Sequence, residues 1–71
     1  MESYIDRTFR EYGAQTFGTE AMNSITSEQI EEARCAAFRA ASALTEKYGR
    51  LPNGSTKTIF CYYVQMRFLN K

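Results

Sequence analysis

Without a single histidine, the 71-residue chain lacks the side chain that most often serves as a general base. Cys-His and Ser-His nucleophile pairs are excluded with it, and no serine and lysine stand in a motif that would couple them. Cys35 and Cys61 show no metal-ligand spacing, and nothing is present to complete such a site. Neither a metal nor a cofactor is therefore expected. The carboxylates gather near helix starts, where their structural role suffices. Gly49-Arg-Leu-Pro-Asn-Gly54-Ser55-Thr56 has the glycine spacing of a phosphate-binding loop. It fails as one: Ser55 stands where the phosphate-reaching lysine belongs, and Pro52 removes an N–H from the cradle. Asn53-Gly54-Ser55 is a glycosylation triplet, which acts only in a secreted chain. A non-catalytic protein is the expectation.

Residues that bind are better represented than residues that react. Thr58-Ile-Phe-Cys-Tyr-Tyr-Val-Gln-Met-Arg-Phe-Leu69 is the densest apolar and aromatic run in the chain. Within it, Phe60, Tyr62, Tyr63 and Arg67 are the candidate protein-binding residues, with Phe38 as an outlier, because Tyr and Arg are enriched at binding hot spots. The preferred function is a small regulator or inhibitor docking through this segment, with homodimerisation close behind. Tyr48, Tyr62 and Tyr63 are also candidates for stacking single-stranded bases, although such spacing more often builds a core or a protein contact.

A second reading comes from the N-terminal end of the same run. Ser55-Thr-Lys-Thr-Ile-Phe-Cys-Tyr-Tyr-Val64 resembles the recognition helix of helix-turn-helix DNA-binding proteins, with small polar residues first and apolar ones behind. The resemblance implies that Thr56, Lys57 and Thr58, with Arg50 nearby, meet base edges or phosphates. The turn from Gly49 to Ser55 is longer than the usual three or four residues. Nine basic against eight acidic residues leave little charge for phosphate contacts.

The elements that must position these residues are helices. Ser3 reads as a cap, with Asp6 near the positive end of the dipole. Ile5, Phe9 and Tyr12 fall on one face, and Gly13 reads as the stop. Residues 14–25 show no sustained period and read as a loop with one helical turn around Thr19 to Met22. Phe17 and Met22 are expected to plug the core. Thr26-Ser-Glu-Gln29 is a capping box, flanked by Ile25 and Ile30 as a staple. Beyond it, Ile30, Ala33, Ala37, Ala40, Ala41, Leu44 and Tyr48 make one stripe, whose alanines admit a neighbour closely. Phe38 lies at the edge of the stripe and is expected to widen the core, and Tyr48-Gly49 is a glycine stop.

Arg50-Leu-Pro-Asn-Gly-Ser55 is a turn. Residues 56–71 fit a strand by alternation, but no second strand exists to pair with them, and unpaired ladder groups are costly. They are expected to be helical, capped by Ser55 or Thr56. Two other helices cannot cover a helix so apolar all round, so an exposed apolar patch is expected.

The expectation is thus an all-α domain of three helices near 3–12, 27–48 and 56–69. At 44% hydrophobic residues it is too apolar for disorder, yet small enough to have a marginal core. The sequence leaves a single Cys35–Cys61 bridge open. Both cysteines, however, sit in apolar helical patterns, where a buried free thiol is the commoner reading, in keeping with a reducing, cytosolic setting. Met1-Glu-Ser-Tyr shows no signal peptide, and the apolar run falls short of the roughly 20 residues that a membrane helix needs. A soluble cytoplasmic protein is expected, with a protein partner or itself as ligand, and nucleic acid as the alternative.

Overall fold

A computed structural model describes residues 4–69, and every regular element among them is helical. α1 spans Tyr4–Phe17, α2 Thr19–Asn23, α3 Ser27–Tyr48 and α4 Ser55–Val64; α4 continues as a π-helical turn over Gln65–Leu69. The all-α class is the one expected, with a short fourth helix added. Ser3, the expected first cap, lies outside the described residues.

The largest departure is at Gly13. It does not end α1, which runs four residues further, and its backbone is not left-handed. Gly13 is buried because a second helix passes over it: a Cβ there would sit 2.5 Å from Met22 Sδ. The stop belongs to Gly18, whose φ of 94° turns the chain into α2. Met22 is the expected plug, 1% exposed, whereas Phe17 is only half-buried.

α3 begins as its sequence demands. Thr26 Oγ1 accepts from the Gln29 N–H at 3.1 Å, and Gln29 Oε1 accepts from the Thr26 N–H at 2.9 Å. Ile25 and Ile30, the staple pair, are both buried. Gly49 closes the helix at φ 88°, its N–H donating to Thr45 O at 2.8 Å. Across the turn, Gly54 at φ 85° occupies the position before α4, and Ser55 donates its hydroxyl to Pro52 O instead of capping. Neither Ser55 nor Thr56 is the cap, because the left-handed glycine already starts the helix.

α3 and α4 form an antiparallel hairpin, and α1 lies across it with α2 alongside. The ring of Phe9 meets both arms, edge to face, at 5.9 Å from Phe38 and 4.9 Å from Phe60. Ile30, Ala33, Ala37, Phe60 and Val64 are fully buried beneath it. The molecule measures 36 × 29 × 19 Å. Its least dimension matches two layers of helices packed about 8–10 Å apart.

Two expectations about α3 fail for one reason: only part of the helix has neighbours. The stripe is buried at Ile30, Ala33 and Ala37, but Leu44 and Tyr48 are exposed because α3 outruns the elements packed on it. Cys35 points away from the hairpin and is exposed, while Cys61 is buried as expected; both are free thiols. No helix among the described residues is long and apolar enough to cross a membrane.

Candidate functional site

The candidate surface is the side of α4 turned away from α1. Viewed down a helix of 3.6 residues per turn, Phe60, Cys61 and Val64 fall on one side and Ile59, Tyr62 and Met66 on the other. The first set is buried in the core, whereas Tyr62 is 65% and Met66 52% exposed. Phe60 therefore leaves the set of candidate binding residues. It is fully buried against Phe9, so it holds the fold and cannot touch a partner.

Tyr63 and Arg67 are held in place from α3. The Tyr63 hydroxyl donates to Glu32 Oε2, and Arg67 Nε reaches the same oxygen at 3.4 Å. The π-helical turn assembles this group. An i→i+5 ladder brings residues five apart onto one side, so Phe68 stacks edge-on against Tyr63 at 5.9 Å. The hydrogen bond from Tyr63 lowers the Glu32 carboxyl below its usual range, with help from Arg67. The same bond, then burial, pushes the Tyr63 phenol up. The cluster joins a cation, a carboxylate acceptor and a phenol.

The other candidates are dispersed. Phe38 meets both expectations halfway, with one edge on Phe9 and 46% of its surface exposed. Of the residues in the DNA-binding alternative, Lys57 is half-buried with its ammonium 4.9 Å from the Tyr12 ring centroid and 3.4 Å from Gln15 Oε1. Thr56 is half-buried, and the hydroxyl of the exposed Thr58 donates to Gly54 O at 3.2 Å. Arg50 is exposed at the elbow. Lys57 and Thr58 thus make contacts within the chain, while Arg50 and Thr56 line one notch at the elbow.

Sequence reasoning passed over Glu32, Ile59, Leu44 and Met66. Leu44, Leu51, Pro52 and Ile59 line an apolar notch of about 360 Å³ where the turn leaves α3. Ile59, Tyr63 and Met66 were legible as one side of a helix. Which of the two apolar sides faces solvent was not legible, since both are equally hydrophobic. Among the described residues no group of His, Cys, Asp or Glu is placed to hold a metal. Set against protein-family models, curated proteins and solved structures, the chain matches none of them significantly.

Proposed function

We propose that this protein is a non-catalytic interaction module, a small regulator or inhibitor that docks a protein partner through the outer side of α4. The observation that carries the reading is the exposure of Tyr62 and Met66, one turn apart, on a helix whose opposite side is wholly buried. Apolar side chains grouped in this way on a small domain mark association surfaces. Tyr63 and Arg67 flank them, already fixed by Glu32, so little side-chain freedom remains to be lost on binding. Phe38 lies on the other side of the hairpin and is not part of this surface. Both cysteines are free, which supports a reducing, cytosolic setting.

Tyr62→Ala tests the reading. Removing a central aromatic anchor costs about 2 kcal/mol of binding, roughly thirtyfold in affinity. The variant should lose its partner in a quantitative pull-down while its far-ultraviolet circular dichroism stays unchanged. A collapse of helicity would assign Tyr62 to the fold and remove it from the surface.

A further inference from the structure

The turn between α3 and α4 holds two neighbouring residues that are able to react with one another. Pro52, Asn53, Gly54 and Ser55 form the turn, closed by the Ser55 N–H on Pro52 O at 3.3 Å. Gly54 stands at φ 85°, ψ 3°, the values of the third residue of a type II turn. Asn53 is exposed at the tip and lines the notches on both sides of it. An asparagine followed by glycine is the arrangement most open to attack on the side-chain amide by the next backbone nitrogen, because glycine has no Cβ to crowd the ring that forms.

Three features of the turn leave that attack unopposed. The Gly54 N–H, which carries the nucleophile, donates no hydrogen bond among the described residues. The Asn53 side-chain amide has no hydrogen-bond partner among them either. The bonds that hold the turn both run from Ser55 to Pro52 O, and the backbone one, at 3.3 Å, lies beyond the usual 2.7–3.2 Å. Neither of them ties down the peptide between Asn53 and Gly54.

We propose that Asn53 is a self-modification site, converted by Gly54 and water into an acidic residue. The Gly54 nitrogen bonds to Asn53 Cγ, and the Cγ–Nδ2 bond breaks. The amide proton of Gly54 leaves with Nδ2 as ammonia, and a cyclic imide remains. One water then opens the ring at either carbonyl. The product is aspartate or, where the chain is rerouted through Cγ, isoaspartate. No oxidant, reductant or second protein takes part, and the net charge falls from +1 to zero.

The two products act differently on α4, which starts at Gly54 without a side-chain cap. Aspartate sets a negative charge at the positive end of the helix dipole. It also faces Arg50 in a notch whose lining contains no carboxylate. The start of α4 is thereby strengthened. Isoaspartate instead adds a backbone carbon to the turn and loosens the closure of the hairpin. The inference stands apart from the docking reading above.

The experiment incubates the full folded chain in mildly alkaline buffer and samples it over days. Trypsin frees Leu51–Lys57, in which Asn53 is the only amide side chain. The mass of that peptide should rise by one water less one ammonia, and the product should separate into two chromatographic peaks. Hydroxylamine, which cleaves the imide, should cut the intact chain between Asn53 and Gly54. Asn23, followed by Ser24 at the end of α2, is the control within the same molecule and should convert at least an order of magnitude more slowly. Asn53→Gln lengthens the side chain by one methylene, keeps the amide, and should abolish both changes. Asn53→Asp should slow hydrogen exchange at the Thr56 and Lys57 amides several-fold, and exchange that does not slow overturns the effect on α4. If Asn53 converts no faster than Asn23, or hydroxylamine leaves the folded chain whole, the turn protects the pair and the inference falls.

Discussion

Glu32 and Tyr63 hold one another in their working protonation states, and the two ends of the pH scale release them. The Glu32 carboxyl titrates lower when folded, so the stability it lends is present above the unfolded value and is lost as pH falls below about 4. Tyr63 titrates higher when folded, so its share is present below about pH 10 and is lost as pH climbs through the folded value. Between those limits the clasp is intact. Tyrosinate absorbance followed through an alkaline titration reads it directly: one phenol should ionise late, and Glu32→Gln should bring it back toward the ordinary range. A late phenol that survives the substitution would assign the shift to burial alone. At this scale the sequence was informative where a motif is local, as in the Thr26–Gln29 cap. It was silent on the clasp, whose members lie 31 and 35 residues apart and meet only after folding.

Single elements explain where the expected boundaries moved. A glycine in the middle of a helix costs about 1 kcal/mol relative to alanine, and α1 accepts that cost at Gly13 because α2 packs directly over it. Gly13→Ala therefore sets two effects against each other. The gain in helix propensity is about 1 kcal/mol. Displacing the buried end of Met22 costs about 1–3 kcal/mol, since a 1% exposed side chain has no open space to enter. The variant should be less stable by about 1 kcal/mol in urea unfolding, the difference between those two effects. A gain in stability would show that Met22 moves aside freely. Read from sequence alone, the stop falls at Gly13, and the tertiary contact with Met22 is what carries α1 past it to Gly18. Arg10 shows the same limit. Its Nη1 donates to Met22 O at 2.7 Å and Ile25 O at 2.8 Å, closing the end of α2 from another helix. No local pattern announces such a cap.

At the level of the whole molecule, the helical class was legible because no partner strand existed for the C-terminal run. The orientation of that run was not, because apolar residues circle it. Two layers of helices leave each layer with one covered and one open side, and a domain of this size has a small core with which to offset chain entropy. If two copies associate through the open side, they add burial that depends on concentration. The melting temperature should accordingly rise as protein concentration is raised over two decades. A melting temperature that does not move would mean that the single chain carries all of the stability measured.

The turn over Gln65–Leu69 is π-helical, so its hydrogen bonds reach one residue further along the chain than those of the α4 that feeds it. A π-helical turn is an α-helix with a residue to spare. The alignment of Arg67 and Phe68 with Tyr63 is accordingly a matter of counting as much as of chemistry. A chain shortened by one residue there would keep every side chain of the hairpin core and the Tyr63 bond to Glu32, and still lose the stacking of Phe68 on Tyr63. Length, at this end of the protein, is itself a determinant.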